Sequence, residues 1–160
     1  MDQLEPRDPE SGDLLRICQA LNDSGAKYIV IGGMAIVYHG FNRGTEDIDL
    51  LVERTADNIS RLKKSLSILP DNAVAEMADS DLETYGTVRI ADEVVVDLMS
   101  SACGIDFAEA SSMTEEAEIE GIRIPFANLE LLLKTKQTVR EKDEIDRLFL
   151  RRLIAERERG

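Results

Sequence analysis

Two aspartates, Asp47 and Asp49, stand two residues apart in the run Asp47-Ile48-Asp49-Leu50-Leu51-Val52. That run alternates in the period of a strand, so both carboxylates leave the same face, about 6.6 to 6.8 Å apart along the backbone, while Ile48, Leu50 and Val52 take the other. The separation suits shared metal ligation. Two Mg²⁺ ions about 3.5 to 4 Å apart are bridged by one carboxylate while its neighbour holds one ion. Such a set needs a third acid, and Asp97 supplies it. In Val94-Val95-Val96-Asp97-Leu98-Met99 it interrupts an apolar strand, where an unpaired carboxylate costs several kcal/mol unless a cation or hydrogen bonds receive it. Upstream, Gly32 and Gly33 fall where an apolar strand passes into a helix. At that junction missing Cβ atoms let backbone N–H groups approach a phosphate. Acids for metal and glycines for phosphate define a nucleotide site. The chain has neither GxGxxG nor GxxxxGK[ST], which removes the dinucleotide-binding and P-loop classes. An isolated Asp-x-Asp is most often a solvated strand face; the glycine pair and the third acid separate this run from that reading.

The elements that must carry these residues follow from periodicity. Leu14, Ile17, Cys18 and Leu21 recur at helical spacing, giving a helix over 12–23 stopped at Gly25. Lys27-Tyr28-Ile29-Val30-Ile31 reads as a buried strand ending at the glycine pair, and 34–40 as a short helix. A helix over 56–69 follows the acid strand, with Thr55 as N-cap and Pro70 as stop. Residues 84–91 and 93–100 read as an antiparallel hairpin joined by Asp92, 105–112 as a short helix, and 117–126 as a second hairpin turning at Gly121. From 128 the chain reads as helical in two segments, 129–139 and 144–159, the second with Ile145, Leu148, Phe149 and Leu153 facing inward. The expected fold is α/β (α+β). A small mixed, mostly antiparallel sheet has flanking helices, with a core over 12–125 and a helical segment over 126–160 that closes the cleft, all in one domain spanning 1–160.

The length of 160 residues suits one domain, and 43% hydrophobic with 32% charged residues excludes collagenous, low-complexity and broadly disordered chains. No apolar run is long enough for a bilayer and the acidic start is unlike a signal peptide, so the expectation is a cytoplasmic protein without a membrane partner. A net charge of −13 means that the average surface repels a phosphate backbone, so a nucleic-acid partner would require a local basic patch. Cys18 and Cys103 lack a metal-binding spacing and read as reduced packing residues. His39, the single histidine, has no nucleophile or acid at readable spacing and is given no role. The cations Lys134, Lys136, Arg140 and Lys142 read by themselves as a solvated helical face.

Taken together, the strand ending in Gly32-Gly33, the run Arg43-Gly44-Thr45-Glu46-Asp47-Ile48-Asp49 and the later Asp97 resemble the DNA polymerase beta-type nucleotidyltransferase superfamily. Arg-x-Thr-x-Asp-x-Asp, with Lys134 and the run from Arg140 to Asp146, is similar to its AbiEii-like toxin branch and short relatives, over roughly residues 27–150. The resemblance implies transfer of an NMP group from an NTP to an acceptor hydroxyl on RNA, protein or a small molecule, with two Mg²⁺ ions and in the setting of a toxin–antitoxin system. It implies that Gly32 and Gly33 seat the triphosphate and that Asp47 and Asp49 ligate Mg²⁺. Asp97 completes the set or activates the acceptor hydroxyl, while Lys134 and Arg43 meet phosphates and Thr45 fixes the loop. Two alternatives share these residues: a non-catalytic nucleotidyltransferase-like antitoxin or NTP-binding regulator that makes protein contacts, and an antibiotic nucleotidyltransferase.

Overall fold

The computed structural model describes residues 5–138 and 140–159; the lead-in at 1–4 and the helix expected through 139 lie, at those positions, outside the described residues. Helix α1 (Ser11–Ser24) ends at Gly25, whose φ of 73° is a left-handed stop that glycine adopts without strain. Strand β1 (Tyr28–Ile31) runs directly into the short helix α2 (Gly32–Tyr38), and β2 (Asp47–Val52) and α3 (Ala56–Leu66) follow. Thr55 caps α3 by accepting from the Asn58 amide. The buried Asn58 side chain accepts from the Lys27 amide and donates to the Lys27 and Glu53 carbonyls, tying the start of β1 to the end of β2.

A 3₁₀ turn and the short α4 (Asp81–Tyr85) lead to the hairpin of β3 (Thr87–Ala91) and β4 (Val95–Met99). Asp92 is buried in its turn, where its carboxylate accepts from the amides of Asp71, Ala73 and Glu93. A two-stranded ribbon, β5 (Ser101–Ala102) with β6 (Ile105–Asp106), and the single-turn α5 (Phe107–Ala110) precede the second hairpin, β7 (Thr114–Ile119) and β8 (Ile122–Ala127). Glu120 and Gly121 both have positive φ in its two-residue turn. The chain closes with α6 (Leu129–Thr135) and the 19-residue α7 (Glu141–Arg159), which pack on one another.

The six-stranded sheet has the order β3-β4-β2-β1-β8-β7. It is mixed rather than mostly antiparallel: the two hairpins and β1 with β2 are antiparallel, whereas β2 with β4 and β1 with β8 are parallel. The parallel pairs join strands far apart in sequence, where side-chain alternation carries no information about the neighbour. On the core side of β2, Ile48 and Leu50 are fully buried.

Helix α7 packs Phe149 and Leu153 against the core as expected, but the rest of its inward face differs. Ile145 and Leu148, expected inward, are 49% and 62% exposed, whereas Asp143, Asp146 and Leu150 are buried. Its buried stripe runs 143, 146, 150 at helical spacing, and its acids are matched by cations from other segments. At the other end of the chain Arg7 ties the N-terminal segment to the β3–β4 turn: its guanidinium binds Asp13 and Glu93 and its amide donates to the Glu93 carbonyl. No described helix is long and apolar enough to cross a membrane.

Candidate active site

Asp47 and Asp49 leave one face of β2, and the parallel pairing with β4 sets Asp97 directly beside Asp49. The three carboxylates converge so that one oxygen from each lies within 4.8 Å of the others. Asp97 is buried and the other two are partly so. Burial, then the negative charges of Asp47 and Asp97, pushes the Asp49 carboxyl up to about 7. Asp47 is raised as well, by burial and then by Asp97. An all-carboxylate set of this kind is a hard oxygen donor set, suited to Mg²⁺, Mn²⁺ or Ca²⁺, and the crowding that raises Asp49 is relieved by a cation. The three acids therefore fit a divalent ion.

The glycine pair is explained by the same contacts. A Cβ on Gly32, whose φ is 67°, would lie 2.1 Å from Asp49 Oδ2, and one on Gly33 would lie 2.8 Å from Thr45 Cβ. Any larger residue at either position would displace the acid or the loop that carries it. The Thr45 hydroxyl donates to the Asp47 carbonyl at 2.8 Å, fastening that loop to the start of β2.

A polar cavity of about 110 Å³ opens onto the acids, lined among others by Gly33, Arg43, Asp47, Asp49, Arg89 and Asp97. Lys136, Arg140 and Lys142 complete its cationic wall. Gly32 is not part of the lining. Lys134 does not reach it either: it is exposed in the last turn of α6, whereas Lys136, past the helix end, turns inward and is 5% exposed. Of the lysines, Lys136 and Lys142 line the cavity and the expected Lys134 does not, and Lys136 is no solvated face.

Lys136 is held by Asp143 at 3.2 Å and Asp146 at 3.0 Å, and Arg43 also reaches Asp146, at 2.9 Å. Burial would raise the Asp143 carboxyl, but hydrogen bonds from Thr138 and Arg140 and the Lys136 charge outweigh it and hold the group below the ordinary carboxylate range. The Arg147 guanidinium donates to the carbonyls of Lys136 and Thr138, fixing the link between the two last helices. Among the described residues Asp146 Oδ1 and Arg43 Nε are buried without a hydrogen-bond partner, so the network retains capacity for another polar group.

Arg89 is a functional candidate that spacing did not indicate. From β3, opposite Asp97, its Nε and Nη2 donate to the two Asp97 oxygens, each at 3.0 Å, and Nη2 reaches Asp47 Oδ2 at 3.4 Å. His39 lies outside the cavity, bonded through Nε2 to the Ala127 carbonyl at 2.9 Å. Cys18 is a core residue whose thiol burial pushes up to about 12; both cysteines are unpaired.

A mixed sheet with three acids on adjacent strands and a glycine turn at their side is the arrangement of a nucleotidyltransferase. The family model of the AbiEii nucleotidyl transferase toxins of type IV toxin–antitoxin systems matches residues 14–138, well over half of the chain, and the protein belongs to that family. A solved structure from Thermotoga maritima, described as a candidate nucleotidyltransferase, shares the fold. The TM-score is 0.55 at 17% identity, over 89% of this chain and 91% of that one. No curated protein matches the chain.

Proposed function

We propose that the protein transfers an NMP group from an NTP to an acceptor hydroxyl in a divalent-cation-dependent reaction, with Mg²⁺ as the ion. The observation that carries this reading is one cavity in which three converging carboxylates face a wall of Arg43, Lys136, Arg140 and Lys142. Carboxylates alone would repel a triphosphate; with cations across from them, the same recess accepts one.

Asp47 and Asp49 hold the ions, which supply charge neutralisation at the reacting phosphates when bound. Asp97 completes the ligand set and is the carboxylate at hand to take the proton of the attacking hydroxyl. Lys136 and Arg43, fixed by the α7 acids, meet the phosphate oxygens, and Gly33 keeps the backbone of the turn open to them. The acceptor oxygen attacks the α-phosphorus as pyrophosphate departs on the cationic side, so the charge that develops falls on groups already in place. The segment beyond β8, with α6 and α7, contributes Lys136, Arg140 and Lys142 and serves as the closing wall. The acceptor is a hydroxyl of RNA, protein or a small molecule, and the setting is a toxin–antitoxin pair.

The test is incubation with each labelled NTP, Mg²⁺ and cell extract, reading which molecule becomes labelled. Wild type is expected to label one acceptor class. Asp49→Asn should lose at least a hundredfold of that signal while unfolding at a similar urea midpoint, because it removes a ligand and leaves the packing. Transfer by the variant within a few-fold of wild type would sink the metal assignment.

A further inference from the structure

Arg89 occupies the atoms that an ion would need. Both oxygens of Asp97 and one of Asp47 accept from its guanidinium, in two contacts of 3.0 Å and one of 3.4 Å. Two of the three carboxylates in the cluster are therefore bridged by a single positive charge from within the chain. The side chain is 62% exposed and lies on β3, the edge strand, so these contacts rather than packing hold it there.

Beside it lies a second, open cavity of about 430 Å³, which shares Glu46, Asp47 and Arg89 with the first and adds Glu5 and Asp8. The N-terminal segment reaches that cavity because Arg7 pins it to Asp13 and Glu93. Ala91 and Val95 give the cavity an apolar side, and Glu5, Asp8 and Glu46 add carboxylates to the lining that Arg89 shares. Arg89 thus lines both cavities, with the three-acid cluster in one and further carboxylates in the other.

We propose that Arg89 is the built-in counter-cation of the three-acid cluster, binding Asp97 and Asp47 while no divalent ion is present and giving up those contacts when one arrives. The proposal rests on the reading that the three acids bind a divalent ion. A divalent ion carries twice the charge and takes carboxylate oxygens directly, whereas the guanidinium is mostly solvated, so the exchange runs toward the ion as its concentration rises. Arg89 would then set the concentration at which the site loads and keep the empty cluster from repelling itself apart.

The experiment is calorimetric titration of Mn²⁺, without nucleotide, into wild type, Arg89→Gln, Arg89→Met and Arg89→Lys, with Asp49→Asn as the site control. Removing a competing charge should tighten Mn²⁺ binding three- to tenfold in both neutral variants, with Arg89→Lys closer to wild type. In EDTA the neutral variants should melt below wild type, and Mn²⁺ should close the gap. A neutral variant that binds Mn²⁺ within twofold of wild type, or more weakly, overturns the proposal and leaves the metal site standing. Failure of wild type and variants alike to bind Mn²⁺ overturns both.

Discussion

At the scale of single residues, Asp49 joins fold and chemistry. Gly32 gives up its Cβ so that the Asp49 carboxylate fits against the turn, and burial beside two other acids raises that carboxyl to about 7. Between pH 4 and 7 the folded protein therefore holds a proton that the unfolded chain releases. The associated stability is complete below about pH 4 and is lost as pH rises through 7. For a coupled, partly solvated group we expect on the order of 1 to 2 kcal/mol lost between pH 5 and pH 8 in EDTA. Asp49→Asn should flatten that slope, and urea midpoints of both proteins at the two pH values measure it. Equal slopes would mean that Asp49 titrates in the ordinary range. The identity of this residue was legible from two-residue alternation on a strand; Arg89 was not. A hairpin turning on Asp92 alone would set Arg89 opposite Val95, but the pairing of Ala91 with Val95 leaves three residues in the turn and brings Asp97 opposite instead.

Among the elements, the hairpins, the cap at Thr55 and the stop at Gly25 were readable because each depends on residues within one or two turns of chain. The inward face of α7 was readable only in part: Phe149 and Leu153 pack against the core as expected, but apolar periodicity does not mark a buried stripe where the stripe is polar. Here it carries Asp143 and Asp146, whose burial is offset by Lys136 and Arg140 just before the helix and by Arg43, about a hundred residues away in sequence. A different cause separates Lys134 from the cavity-lining Lys136. Lys134 lies within α6, whereas Lys136 is its C-cap, with φ −103° and ψ 15°, where a helical wheel no longer gives direction. The two lysines should behave differently when made neutral. Lys136→Met strands two buried carboxylates, each left with fewer partners, and should cost about 3 kcal/mol, the low end for a broken buried pair. Lys134→Met should stay within about 0.5 kcal/mol, as an exposed substitution does. Urea unfolding at pH 7 separates them, and similar midpoints for the two variants would contradict the buried network.

For the whole molecule, the net charge of −13 confronts a site that must receive a triphosphate and, in one reading, an RNA acceptor. The site answers locally, by gathering Arg43, Lys136, Arg140 and Lys142 on one wall. An RNA backbone has less to hold. Along the last segment Arg147 is engaged by two backbone carbonyls, Arg140 by Asp143, Arg152 by Glu156 and Arg157 by Glu115, which leaves Lys142, Arg151 and Arg159 as the exposed basic heads of α7 without an ion pair among the described residues. Each phosphate contact contributes roughly 0.7 to 0.9 to the log–log dependence of binding on salt, so three contacts give a slope of about −2 to −3. We expect tRNA binding, titrated between low and physiological salt, to show a slope no steeper than that. Arg151→Glu combined with Arg159→Glu should flatten the slope by roughly 1.4 to 1.8, because two contacts are removed. Binding that responds to neither salt nor the reversal removes RNA as the acceptor and leaves a hydroxyl on a protein or a small molecule, which the −13 surface does not repel.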